Sequence, residues 1–489
     1  MNKLETVKKF SMDVSWVFFS SFITLVISFL IRPLLARWLG PEGLGLYSII
    51  LMVYSLSLIF GSFGLPMALI KYVSEFKKDI KKLSQFASTG LFSSLIFGTI
   101  VGIILYFLSK NIADFFNMPK LLIPVKLLAG VLPFAAYLEG QIYILNGLRA
   151  MKHYTVLVIS QQILMICFIT GFIALGYGIN GATIGIFLST VVTVVFGQFL
   201  IKEFIKIDLY KLIPNMKKII PFGGKIALTN SVNTINTKLD IIMVGYFLIA
   251  TEVGYYSVAL ALSQFFWFIP LSIQRITYPA TAQYWNENTH AILEKMISKV
   301  MKITTIILLL IGLIITFFAG DIILILFGNG FYHAIVPLYI LLIGTIIRGC
   351  ICTPIGASLT AINRPDLPLK ISIFMIAINI SLNILLIPKY GIIGAATATT
   401  ISLSLGAIIF LILTIKKLAL KFDLKWYIGI ITLLILSLIL FRYATKFINI
   451  YLAGGVILCV FIILIYFIFI DSEEKTLFMN ILHSLLGRS

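Results

Sequence analysis

Charge is scarce in this chain. Asp, Glu, Lys and Arg make up 12% of its 489 residues, against about a quarter in a typical soluble domain. Acidic groups are the scarcest, with 19 Asp and Glu against 38 Lys and Arg. A soluble fold could not hide the apolar remainder, so lipid must be the solvent for much of the chain. Cysteine is sparse too. Cys167, Cys350, Cys352 and Cys459 all lie inside apolar runs and read as small core residues. The Cys350–Cys352 spacing matches no zinc or redox motif, and no Cys/His cluster has the spacing of metal ligands. No G-x-x-x-x-G-K-[ST] run is present, so ATP hydrolysis at a phosphate-cradling loop is not expected. Nothing looks catalytic or calls for a cofactor. The basic excess finds no soluble basic domain to carry nucleic acid, and a membrane topology accounts for it instead.

What is present is apolar sequence, 60% of residues, gathered into long runs. A membrane-crossing helix needs roughly 20 mostly apolar residues. Fourteen such spans are expected, near 13–38, 44–70, 86–108, 121–147, 153–175, 180–203, 218–248, 254–279, 297–319, 332–361, 367–388, 392–415, 425–444 and 449–470. The first run is too long for a signal-peptide core, and no small-residue cleavage site follows it. The fold class expected is therefore an all-α integral membrane protein. With the N-terminus on the inner side, inner segments hold 26 Lys and Arg and outer segments 7. Cytoplasmic loops collect these residues, which puts both termini in the cytoplasm of a cell whose plasma membrane the protein crosses. Five basic residues stay at membrane depth: Arg32, Lys225, Lys238, Arg275 and Arg348.

The chain also repeats itself. Gly45, Tyr47 and Ser48 recur as Gly254, Tyr256 and Ser257, an offset of 209. Gly178, Ile179, Gly181 and Ala182 recur as Gly391, Ile392, Gly394 and Ala395, an offset of 213. Spans 1–6 therefore repeat as spans 7–12, with spans 13 and 14 appended. Six is even, so both repeats start on the same side, as in transporters whose halves are related by an axis along the membrane normal. The organisation expected is an N-lobe over 1–207, a basic linker over 208–217, a C-lobe over 218–417, and two further spans with a tail over 418–489.

One stretch resembles a known family. Arg32-Pro33-Leu34-Leu35-Ala36-Arg37-Trp38-Leu39-Gly40-Pro41-Glu42-Gly43-Leu44-Gly45-Leu46-Tyr47 is similar to the opening of the oligosaccharide flippases of polysaccharide biosynthesis. These belong to the multidrug/oligosaccharidyl-lipid/polysaccharide exporter superfamily, and a 6+6+2 arrangement of spans fits that group along the whole chain. The resemblance implies a flippase carrying an undecaprenyl- or dolichyl-type lipid-linked oligosaccharide to the outer leaflet by alternating access. Membrane lipid, and a glycan polymerase or ligase, are the partners it implies. Lipid II flippases share the fold.

Ionisable groups at membrane depth are costly and usually face a cavity or a partner. Lys225, Thr229, Asn233, Asn236 and Asp240 are spaced 4, 4, 3 and 4, which sets them on one helix face. Ser20, Thr24, Ser28 and Arg32 form a weaker stripe. Such stripes line a hydrated cavity, or else bond neighbouring helices, for which Ser, Thr and Asn are common. Arg348 lies mid-span, facing the cavity or pairing with a carboxylate such as Glu139. Arg275, near a span end, binds substrate or snorkels to the interface. Arg and Lys suit diphosphate oxygens, and Asn and Thr suit sugar hydroxyls. Glu139 is a candidate for proton or ion coupling. Lys238 lies off the main stripe and is expected to pair locally. Arg32 and Asp240 fall at near-equivalent repeat positions and are expected to latch the outer side. A cation-coupled multidrug exporter is the rival reading, although basic groups outnumber the two clear acids, Glu139 and Asp240. A non-transport scaffold of glycan assembly fits the paired lobes with polar stripes less well, and an ion channel would call for a symmetric oligomeric pore and a filter-like motif, which the sequence does not show.

Overall fold

The computed structural model describes residues 3–356, 358–362 and 364–470, with all side chains inside them except those of residues 3–11, 14, 225, 228–230 and 233. The expected tail beyond Ile470 lies outside the described residues. Every described element is helical, as an apolar solvent requires: a helix satisfies its own backbone N–H and C=O groups, which lipid cannot.

Ten helical stretches are long and apolar enough to cross a membrane. Three of them are broken once, at Gly40, at Gly176–Gly178 and at Gly391, and so supply two crossings each. A further helix, α7 (Leu212–Phe247), is as long as the others but more polar. With it the crossings number fourteen, close to the expected segments. α7 starts before the expected residue 218.

In chain order, α1 (Lys3–Ser62), α2 (Leu65–Glu75), α3 (Ile80–Phe115), α4 (Leu122–Gly147), α5 (Met151–Phe172) and α6 (Gly178–Lys202) precede α7. After it come α8 (Ala250–Gln264), α9 (Phe268–Asn286), α10 (His290–Phe317), α11 (Ala319–Phe327), α12 (Ile335–Ile355), α13 (Ser358–Ala361), α14 (Asp366–Leu418), α15 (Leu424–Ala444) and α16 (Ile450–Leu464). The repeat is written into the backbone. Gly178 and Gly391, matched by sequence, have φ/ψ of 54/−134° and 58/−138°. Both lie in a left-handed conformation that a Cβ disfavours, and each turns one crossing directly into the next. Tyr47 and Tyr256, also matched, are 2% and 0% exposed.

Residue contacts divide the chain into two compact units. The first holds Met1–Val258, Leu326–Phe331 and Ile387–Ile392; the second holds the rest. This division is one of packing and differs from the repeat: α7, which opens the second repeat, packs on α1, α2 and α3 of the first unit. Within that unit α3 lies along α4, and α5 along α6. The segment entering α7 is tied to the start of α3. Lys206 N donates to Ser84 Oγ at 3.2 Å, Asp208 N donates to Ser88 Oγ at 2.9 Å, and Gln85 Nε2 donates to Asp208 Oδ2 at 3.0 Å. Ser84→Ala/Ser88→Ala is therefore expected to cost about 1–3 kcal/mol through two orphaned donors. Amide exchange should speed up at 206 and 208 while α4 stays protected. Unchanged exchange there would show that the tether does not hold.

In the second unit α9, α10 and α12 pack together and α15–α16 lean on α10. Phe317 stacks on Phe441 with centroids 3.9 Å apart. Asp423 caps α15 by accepting from Trp426 N, and it pairs with Lys302 at 2.8 Å. Lys302 foremost, then the Trp426 N–H, hold the Asp423 carboxyl below its ordinary value of 3.8. The folded carboxyl is the stronger acid. Its contribution is complete above 3.8 and is lost as pH falls through the lower folded value. Asp423→Ala should cost about 1 kcal/mol at pH 7 as a lost cap and much less at pH 2, read as detergent-solubilised unfolding midpoints. An equal loss at both pH values would refute this account.

Candidate functional site

α7 carries two chemically distinct faces. Of its expected stripe, the side chains of Lys225, Thr229 and Asn233 lie outside the described ones. Asn236 is half-buried and Asp240 is 9% exposed. Two residues further round the helix, about 200° away, is Lys238. It is half-buried, and the charge it meets is Arg32 of α1. Arg32 is also half-buried and has the deeply buried Tyr47 beside it. Thus the neighbour that Lys238 finds is a like charge. Among the described residues no carboxylate is paired with either cation. Two half-buried cations within electrostatic reach repel each other, so this is an arrangement suited to an anion.

The same face of α7 continues one turn on to Ile242. That residue forms part of the wall of an apolar cleft of about 570 Å³ between the second crossing of α1, α3 and α7. Phe60, Ile104 and Phe115 line it and are about half exposed. The cation pair and the cleft lie within the first unit, about 6 Å apart along α7 by the rise of four residues.

Glu139 of α4 is half-buried, accepts a hydrogen bond from Ser62, and has Tyr54 and Tyr143 within electrostatic reach. In the second unit, the Arg348 guanidinium lies over the Trp267 ring at 5.6 Å. Trp267 Nε1 donates to Thr345 O at 3.2 Å and so fixes that ring. Arg348 also has the Cys352 thiol beside it. Arg275 of α9 is exposed. Of the proposed residues, then, the first unit brings Arg32 within electrostatic reach of Lys238 and sets Ser62 beside Glu139, while in the second unit Arg348 has Trp267 beside it and Arg275 is exposed. Sequence reasoning passed over Trp267, Ser62 and Tyr54. A Trp among phenylalanines in Phe265–Phe268 was the signal for the first; a lone Ser or Tyr in an apolar run gave none for the others.

No group of three or more His, Cys, Asp or Glu side chains is placed to hold a metal among the described residues. Fourteen helical crossings make this a multi-pass membrane protein, and matches to two family profiles place it in the multidrug/oligosaccharidyl-lipid/polysaccharide exporter superfamily. More narrowly, the chain belongs to the polysaccharide biosynthesis protein family, whose profile matches residues 11–285. The MatE profile matches residues 226–385. The chain is 26% identical over 409 residues to the uncharacterized membrane protein MJ1068 of Methanocaldococcus jannaschii, covering 79% of this chain and 80% of that one. It is 31% identical over 173 residues to the probable flippase AglR of Haloferax volcanii, covering 35% and 36% of the two chains. In fold it is similar to the lipid II flippase MurJ in its inward closed conformation, with a TM-score of 0.72 at 18% identity over 93% of this chain and 99% of that one.

Proposed function

We propose that the protein is a flippase that carries a lipid-linked oligosaccharide of the polyprenyl diphosphate type from the inner to the outer leaflet by alternating access. One observation carries this reading: Lys238 of α7 has Arg32 of α1 within electrostatic reach and stands one helical turn from Ile242, which lines an apolar cleft. That is the chemical outline of an amphiphile with an anionic headgroup. The diphosphate binds Arg32 with parallel hydrogen bonds and Lys238 as a point charge. The polyprenyl chain lies along Phe60, Ile104 and Ile242, and the sugars meet Asn236 and its neighbours on the stripe. Arg348 adds a second cation from its own unit, and Arg275 meets lipid phosphate at the interface. The two six-crossing repeats, 1–207 and 218–417, are the moving parts, with 208–217 between them. Both termini lie in the cytoplasm, the plasma membrane is the site of action, and a glycan polymerase or ligase takes the product. The similarity to a probable flippase supports the same reading.

The test is reconstitution. Vesicles carrying the purified protein and a polyprenyl-diphosphate oligosaccharide should make the glycan accessible to an external lectin far faster than empty vesicles. Equal rates would refute the proposal. A cation-coupled multidrug exporter is the second reading, favoured by the MatE match and by Glu139 beside Ser62. Under it, the same vesicles expel an organic cation when a proton gradient is imposed, and Glu139→Gln stops them. Under the flippase reading, organic-cation efflux stays at the empty-vesicle rate.

A further inference from the structure

The connection between α6 and α7 is held firmly and yet turns apolar side chains outward. α6 ends at Lys202 and α7 starts at Leu212, and the stretch between them is not helical. Irregular backbone facing lipid is not tolerated at hydrocarbon depth, so this stretch lies at the membrane surface. Phe204 and Ile205 pack into a core cluster of the first unit. Beyond them Ser84, Gln85 and Ser88 of α3 pin the chain. Asp208 closes the turn by accepting from Tyr210 N at 2.9 Å, and Asn215 Nδ2 donates to Thr89 Oγ1 at 3.5 Å. What this fixed strap leaves outside is Ile207, Tyr210 and Ile213, which are 65%, 82% and 66% exposed.

The repeat supplies an internal comparison. In the second repeat the sixth crossing is also followed by a short connection, from α14 to α15. Asp423 accepts there from Trp426 N as Asp208 does from Tyr210 N. Its large apolar residues between the helices, Leu420 and Phe422, pack against the core of the second unit. An outward apolar edge is therefore no requirement of such a connection, and the first repeat has one. Lysines share that edge. Residues 202–218 hold five Lys against Glu203 and Asp208, and Glu203 faces His153 at 3.4 Å. Lys206, Lys211, Lys217 and Lys218 are exposed. Tyr72 OH donates to Lys218 O at 3.4 Å, and the neighbouring Lys71 holds its ammonium over the Phe222 ring at 4.4 Å. Lysine alone would be accounted for by topology; exposed Ile and Tyr between the lysines would not. Apolar and aromatic side chains interleaved with Lys suit the boundary of an anionic leaflet. The rings and branched chains reach the acyl edge while the ammonium groups stay among phosphates.

We propose that residues 206–218 are a membrane-surface site for anionic lipid: Ile207, Tyr210 and Ile213 enter the boundary between headgroups and acyl chains, and the four lysines among them hold lipid phosphates. Nothing in this site rests on the flippase reading. The test uses the purified full-length protein in lipid nanodiscs, in a background lacking Cys167, Cys350, Cys352 and Cys459, with a polarity-sensitive fluorophore at Ile207→Cys. In phosphatidylcholine discs the fluorophore should report water. Phosphatidylglycerol mixed into the discs should move it to an apolar setting, and trypsin cleavage after Lys206 and Lys211 should slow by roughly tenfold or more. Inorganic phosphate added to phosphatidylcholine discs should change neither reading. The same fluorophore at Lys421→Cys, in the second repeat's connection, should report water in both lipids. Combining Lys206→Gln, Lys211→Gln, Lys217→Gln and Lys218→Gln should abolish the shift at 207 while the unfolding midpoint in detergent stays unchanged. A fluorophore at 207 that remains in water with phosphatidylglycerol present overturns the site. So does one shielded equally in both lipids or in the glutamine variant, since apolar contact alone would then account for it. A shift at 207 produced by free phosphate, or an equal shift at 421, overturns it as well.

Discussion

Lys238→Ala is expected to make the protein more stable and less active at once. Lys238 is half-buried with Arg32 within electrostatic reach; removing one cation relieves their mutual repulsion and a desolvation cost. The unfolding midpoint in detergent should rise. Export of the lipid-linked glycan should fall roughly ten- to hundredfold, the equivalent of about 1.5–3 kcal/mol for a lost charge-assisted hydrogen bond. Arg32→Ala should fall at least as far, and Arg32→Lys should lie between, since Lys keeps the charge without the planar fork. The double variant should lose less than the sum, because both act on one headgroup. Opposite movement of stability and activity is the signature of groups held for a ligand. Lower stability together with normal export would assign the pair a packing role and remove the main support for the proposed substrate.

The second large effect is expected at Arg348. Its guanidinium stacks over Trp267, which Thr345 O holds in place. Arg348→Ala should reduce export tenfold or more while the protein still inserts and folds. Arg348→Lys should recover little, because Lys stacks poorly on a ring. Trp267→Phe keeps a ring under the cation but loses the indole N–H, so it should retain most activity with a weaker affinity for substrate. Initial rates in reconstituted vesicles over a range of substrate content separate the two. Normal rates in Arg348→Ala would show that this cation serves only its own unit's packing.

The crossings were legible because their signal is long: some 20 apolar residues leave few alternatives, and 26 basic residues against 7 are not a local accident. The repeat was legible where a backbone conformation demands a residue type, as at Gly178 and Gly391. The site was legible only in part. Spacing assigned Lys238 to a different face from Asp240, but an i, i+2 relation cannot say which helix that face meets, and Arg32 is 206 residues away. The same limit hid Ser62 beside Glu139 and Trp267 beneath Arg348, since a single side chain in an apolar run looks the same whether it meets lipid or a charge. Packing units were beyond the pattern as well: α7 opens the second repeat by sequence, yet it rests on α1, α2 and α3.

The turns at Gly178 and Gly391 leave no slack between the crossings they join. A loop of ordinary length tolerates insertion and offers proteases an extended segment; these two corners offer neither. Reporter tags placed at either corner should abolish insertion, and proteases added from that face should spare the joints between crossings 5 and 6 and between 11 and 12. The segment joining α6 to α7, with Ile207 and Tyr210 exposed, is the natural site for both. Topology mapping by tag or by protease will therefore miss these two corners and must read that face at its longer connections, such as the one around Phe447.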